Sequence, residues 1–181
     1  MRKNFGKKTW FYPMPVVIIG TYDENGKANA MNAAWSGVYD YNQVYISLSP
    51  HKTTDNIKLK KEFTISFATA DTVVAADYVG VVSANKVPNK VEVAGLHESK
   101  AEFVDAPYFD EFPLTLECKL VSMEDVVVAE IVNVSADEKI LTNGTVDPAK
   151  LKPITFDPIN NTYIELGNIV GKAFSDGLKL K

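Results

Sequence analysis

Asn29-Ala30-Met31-Asn32-Ala33-Ala34-Trp35-Ser36, then Gln43-Val44-Tyr45-Ile46-Ser47-Leu48-Ser49, then Pro50-His51-Lys52-Thr53-Thr54-Asp55: these three runs decide how the chain folds. The second alternates Val44, Ile46 and Leu48 with Tyr45, Ser47 and Ser49, the period of two that a half-buried strand requires. The first reads as a strand over Ala28 to about Ser36. Its small and amide residues around one indole suggest a surface against which something flat is laid, although Trp35 would serve equally well in a core. Asparagine is disfavoured in strands unless its amide has a partner, which singles out Asn29 and Asn32. Pro50 ends the second strand, and a helix over roughly Thr54 to Lys60 follows the polar cluster. A helix start offers unpaired N–H groups and partial positive charge. The hydroxyls of Thr53 and Thr54 and the side chains of Lys52 or His51 add to it, so Ser49 to Asp55 has the chemistry of a phosphate grip. The plainer alternative is that Thr53 and Thr54 only cap the helix.

Outward from this centre, Met14 to Tyr22 is apolar and β-branched, and Asp23-Glu24-Asn25-Gly26 supplies a turn tolerant of positive φ. Glu62 to Thr69 is another strand. Asp71-Thr72 caps a helix through Val73 to Val79, with Gly80 as its stop. Val82 to Leu96, broken by Asn85, Pro88, Asn89 and Gly95, reads as a functional loop. Its lysines could bring another ammonium to the same anion, although surface lysines are mostly just solvated. Leu114 to Ser122 and Val126 to Val134 are long antiparallel strands joined at Met123-Glu124-Asp125, and Ile154 to Phe156 and Thr162 to Leu166 are short closing strands. Strands dominate and helices do not alternate with them, so the fold class is all-β to β-rich α+β, a barrel with short peripheral helices in one domain over residues 1–181. No G-x-G-x-x-G or Walker glycine pattern supports a doubly wound nucleotide fold.

Composition narrows the function classes. The 181 residues are 46% apolar and 23% charged, enough for a substantial core. A net charge of -4, with basic and acidic residues interspersed, argues against a nucleic-acid surface. A single cysteine, Cys118, excludes an internal disulfide and cysteine-built zinc sites, and no metal site is expected. The basic start of the chain lacks the apolar core of a signal peptide and no run reaches membrane-span length, so a soluble, cytoplasmic protein is expected. Asp55, Asp71 and Asp77 read as caps and solvated faces.

The chain resembles the flavin reductase-like family, and within it the flavoredoxin group. The parts that carry the resemblance are Pro15-Val16-Val17-Ile18 leading to Gly26 and Asn29, the Asn29–Ser36 strand, Ser47 to Thr54, Gly80-x-x-Ser83 with Asn89-Lys90, Gly95-Leu96, and Leu166-Gly167. The resemblance implies a split-barrel, Greek-key FMN-binding fold, commonly a homodimer. Asn29, Asn32, Ala33, Ala34 and Trp35 would line the flavin ring. Ser49, Lys52, Thr53 and Thr54 would surround the phosphate, with Ser83 and Lys90 closing the second side. No catalytic side chain is singled out, since flavin chemistry needs none. The implied activity is electron transfer between a reduced nicotinamide or redox-protein donor and an acceptor through noncovalent FMN. The alternatives are a flavin-binding electron carrier without NAD(P)H activity and a non-enzymatic β-barrel interaction domain. The chain departs from the family pattern at Ser83-Ala84, at Asn89-Lys90-Val91, and at Glu124-Asp125, where such chains tend to place a histidine.

Overall fold

A computed structural model describes residues 1–180. Its strands are β1 (Val17–Tyr22), β2 (Ala28–Ala33), β3 (Ser36–Asp40), β4 (Gln43–Ile46), β5 (Glu62–Phe67), β6 (Glu98–Lys100), β7 (Pro107–Phe109), β8 (Leu114–Met123), β9 (Val127–Ala136), β10 (Leu141–Thr142), β11 (Thr145–Val146), β12 (Ile154–Asp157) and β13 (Thr162–Glu165). The helices are α1 (Lys52–Lys60), α2 (Val73–Val81), α3 (Lys90–Val93) and α4 (Pro148–Leu151). Among the described residues no helix is long and apolar enough to cross a membrane.

Seven strands form one antiparallel sheet in the order β2-β1-β5-β8-β9-β4-β3. The two edges, β2 and β3, are joined only by Ala34 and Trp35, so the strand ends on either side of that link lie within about 11 Å of each other. Opposite edges of a seven-stranded sheet can meet this way only if the sheet curls round on itself. The result is a barrel left open along one seam, the split barrel expected for the chain. The expected single strand from Ala28 to Ser36 is therefore two strands, and the break at Ala34-Trp35 is the seam.

Two apolar cores follow from the alternation of β1. Val17 and Ile19 face the barrel interior with Met31, Ile46, Ile57, Phe63, Ile65 and Cys118. Val16 and Ile18 face outward, where α2 and β12 cover them through Ala76, Val79 and Ile154. Ile57 reaches the interior from α1, which closes one end. The strands at Ile154 and Thr162 do not complete the barrel. They pair with each other, and among the described residues their β-bridging to the rest is limited to isolated bridges, Pro15 to Thr155 and Thr69 to Pro153.

Gly80 does not stop α2, which runs one residue further, to Val81. A Cβ there would lie 2.9 Å from the Cβ of Asn32, so glycine is what lets α2 lie directly on β2. The Val82–Leu96 loop contains the short α3. Cys118 is fully buried and burial pushes its thiol up to about 12, consistent with a packing role.

Candidate functional site

The seam opens into a cleft of about 460 Å³, within the range of about 300–1,000 Å³ usual for small-molecule sites. Its walls come from β2 and the seam, the loop into α1, the end of α2, the loop to α3, and the β12–β13 hairpin. The structure brings together Asn29, Asn32, Ala33, Ala34, Trp35, Ser49, Lys52, Thr53, Ser83 and Lys90 around this one space. Thr54 alone of the candidate set is not among its lining residues.

The start of α1 is held by a buried polar knot. Asn29 Nδ2 donates to Thr53 Oγ1 at 2.8 Å, and Asn56 Nδ2 donates to Thr21 Oγ1 at 3.0 Å, tying the helix to the β1–β2 hairpin. The first N–H groups of a helix have no partner within it. The Thr54 hydroxyl accepts from the N–H of His51 and donates to the His51 carbonyl, each at 2.6 Å. Thr54 thus closes the first turn, while Lys52 and Thr53 line the cleft. Lys52 is steered to the cleft rim by Glu24 at 3.0 Å and Asp23 at 3.9 Å, both in the β1–β2 turn.

Asn29 also carries a polar atom with nothing to bind: its Oδ1 is buried without a hydrogen-bond partner among the described residues. An unsatisfied buried acceptor carries a penalty of about 1–3 kcal/mol. On a cleft wall it fits a ligand that brings an N–H or O–H.

Lys90 is the second such group: the sequence offered its loop as a source of an ammonium for the same anion, but gave no sign of its burial, because surface lysines are mostly solvated. It is 4% exposed, and its Nζ donates to the carbonyls of Val79 and Val82 at 2.9 and 3.0 Å, at the C-terminal end of α2. A cation at that end of a helix is favourable. None of the ion pairs among the described residues includes Lys90. Burial pushes its ammonium down to about 8. Two of its three N–H donors are accounted for, so the cleft holds a desolvated cation with a donor to spare and no counter-ion.

Asn32 lines the cleft, but its Nδ2 donates to the Ala76 carbonyl at 3.0 Å and so anchors α2 as well. Beside the expected Trp35, the sequence missed Phe156 and Tyr163. Trp35, Phe156 and Tyr163 follow one another with ring centroids 6.0 and 6.1 Å apart, tilted by 43° and 58°. Tyr163 donates to Asp77 Oδ1 at 2.7 Å, so Asp77 holds a cleft-lining phenol while remaining on the solvated face expected for it. Burial, reinforced by that carboxylate, pushes the Tyr163 phenol up to about 12. The alternation of Thr155, Phe156 and Thr162, Tyr163 marks two strands, but nothing local says which wall they face. The cleft lining combines the ammonium groups of Lys52 and Lys90 with the rings of Trp35, Phe156 and Tyr163, a set suited to a flat ring bearing an anionic tail.

Residues 9–153 match the model of the flavin reductase like domain. The chain belongs to the flavin reductase-like family. Two solved structures resemble it along their full length. Flavoredoxin of Desulfovibrio vulgaris (Miyazaki F) is 36% identical with a TM-score of 0.94, over 98% of this chain and 100% of that one. Flavoredoxin from Methanosarcina acetivorans is 28% identical with a TM-score of 0.90, over 100% of both. An FMN-binding domain of a flavin reductases-like enzyme from Shewanella baltica, 22% identical with a TM-score of 0.78 over 88% of this chain and 89% of that one, shares the fold.

Proposed function

We propose that the cleft holds FMN noncovalently and that the chain is an FMN-dependent oxidoreductase of the flavoredoxin or flavin reductase type. It would pass electrons from a reduced nicotinamide or a redox-protein donor to an acceptor. The observation that carries this reading is the buried, counter-ion-free ammonium of Lys90 on the same cleft as the orphaned Asn29 Oδ1. A phosphate supplies the missing anion, and a ribityl hydroxyl or ring N–H the missing donor.

FMN, when bound, supplies the redox chemistry. The chain's own residues bind and orient it. Lys52, Lys90, Ser49, Thr53, Ser83 and the open end of α1 hold the phosphate. Asn29 offers Oδ1, and Asn32 keeps α2 against β2. Ala33 and Ala34 leave room for a ring at the seam, and Trp35 and Phe156 exclude water from one side. Tyr163 keeps its proton at Oη through the physiological range, because its phenol titrates only near 12. Tyr163 thus stays a neutral donor to Asp77.

The turn between β8 and β9 holds Glu124 and Asp125 where a histidine was expected, and this favours a second reading as an electron carrier that does not use nicotinamide. Anaerobic addition of NADH or NADPH to the purified yellow protein separates the two. Bleaching of the flavin bands supports the nicotinamide donor, and an unchanged spectrum that a chemical reductant then bleaches supports the carrier. A colourless protein that takes up no added FMN would sink both.

Thr54→Val tests the division of labour at α1. Loss of the cap lowers stability by about 1 kcal/mol in thermal unfolding, and FMN affinity stays at the wild-type value. A selective loss of FMN affinity over riboflavin would place the Thr54 hydroxyl on the phosphate instead.

A further inference from the structure

We propose that Tyr163 is a positioning residue for the flavin ring: its hydrogen bond to Asp77 straps the β12–β13 hairpin across the cleft, and so sets how much water reaches the ring and how readily the ring is reduced. The inference rests on the reading of the cleft as an FMN site.

The two strands of the hairpin are held unequally. On β12, Ile154 packs into the outer core. Thr155 Oγ1 accepts from the Met14 N–H at 2.8 Å and donates to the Met14 carbonyl at 3.0 Å, the Phe156 N–H donates to that same carbonyl at 2.9 Å, and Asp157 accepts from the Tyr12 hydroxyl. β13 has far less. The Thr162 hydroxyl bonds back to Asp157 within the hairpin, and Ile164 is exposed. What ties β13 to the other side of the cleft is the Tyr163 phenol, which donates to Asp77 Oδ1 on α2 at 2.7 Å with the Asn32 amide close by.

That bond closes a circuit of contacts around the cleft. Phe156 and Tyr163 are direct cross-strand partners, so both rings stand on one face of the hairpin. Phe156 lies 6.0 Å from Trp35 at the seam and 6.1 Å from Tyr163. Asp77 follows Ala76, whose carbonyl receives the Asn32 amide from β2. Contacts thus run from the seam through Trp35, Phe156 and Tyr163 to Asp77 and α2, and from α2 back to β2. All of the side chains in this circuit line the cleft. A phenylalanine at 163 would leave the rings in place and cut the circuit at β13, its least anchored strand.

A flavin ring gains electrons on reduction, and a dry surrounding disfavours the charge they bring. Phe156 and Tyr163 held inward keep water from the ring and its reduction potential low. A hairpin free to swing outward admits water, which stabilises the reduced form.

Tyr163→Phe, Asp77→Ala and Asp77→Asn are to be compared with wild type in two assays. Amide hydrogen exchange of the apoprotein reads the strap with no flavin present. Exchange at residues 162–165 should quicken about two- to tenfold in Tyr163→Phe and Asp77→Ala, the worth of one partly solvated hydrogen bond. Exchange at residues 43–46 of β4 should stay at the wild-type rate, which shows the barrel intact. Asp77→Asn keeps an acceptor oxygen and should restore slow exchange. With FMN bound, Tyr163→Phe and Asp77→Ala should blur the vibronic structure of the flavin absorption band and raise the midpoint potential. Asp77→Asn loses the same charge as Asp77→Ala but should shift less, so the difference belongs to the strap. Unchanged exchange at β13 in Tyr163→Phe, or quickened exchange with the spectrum and potential of bound FMN unmoved, overturns the proposal. A wild type that takes up no FMN is the failure of the cofactor reading itself, and the role toward the ring falls with it.

Discussion

Lys90→Met should weaken FMN by about ten- to a hundredfold and leave riboflavin within about threefold, measured by quenching of flavin fluorescence on titration of the apoprotein. The size follows from losing a charge-assisted hydrogen bond of about 1.5–3 kcal/mol to a phosphate. The selectivity follows from charge, since a buried ammonium without a counter-ion gains far more from the phosphate of FMN than from riboflavin, which carries none. Methionine keeps the volume, so the loop around α3 stays packed. Equal losses for FMN and riboflavin would mean that Lys90 acts only as a strut between the loop and α2.

The same residue sets a pH dependence with opposite signs for binding and for folding. In the free protein the ammonium titrates near 8 because burial disfavours its charge. A bound phosphate holds the proton on, so FMN binding takes up a proton, and affinity falls as pH rises through about 8. For stability, the folded value lies below the unfolded value of roughly 10.4. Between the two the unfolded chain keeps a proton that the folded chain has released, so apoprotein stability rises with pH across that window. Lys90→Met removes both trends.

Gly20→Ala is the substitution expected to damage the fold most. An added Cβ would meet the Pro107 carbonyl oxygen and Thr64 Oγ1 at distances no real Cβ shows, with the Pro107 carbonyl carbon at 3.3 Å. Those two oxygens are already joined, Thr64 donating to Pro107 at 2.6 Å in a buried site. The methyl group either drives β7 away from the sheet or breaks that hydrogen bond. Overpacking at about 1–3 kcal/mol and an unsatisfied buried group at about 1–3 kcal/mol together cost roughly 2–6 kcal/mol. Thermal unfolding should show a fall in Tm of about 10 °C or more. A fall of under about 2 °C would mean that β7 moves freely.

Much of the architecture could be read along the chain because it rests on local signals. Gly26, at φ +77°, is the turn residue the Asn25-Gly26 pair announced, and the alternation from Gln43 to Leu48 marked a strand correctly. The misreadings come from contacts between distant segments. Gly80 looks like a helix stop, yet glycine is required there by Asn32, far away in sequence. The seam at Ala34-Trp35 sits inside what reads as one strand, because two strands joined by two residues look locally like one. Lys90 resembles any loop lysine until the end of α2 encloses it. Phe156 and Tyr163 could be placed on strands, but only the folded chain sets them beside Trp35. The resemblance to the flavin reductase-like family named ten residues that the structure gathers around one cleft, and for Thr54 the local rule for a helix cap was the better guide.

The most direct test of the central claim is the ratio of FMN to riboflavin affinity for the wild-type apoprotein. A cleft lined by Lys90, Lys52 and the start of α1 predicts FMN bound at one per chain and at least about a hundredfold more tightly than riboflavin. Equal affinities, or no uptake of either flavin, would contradict the account.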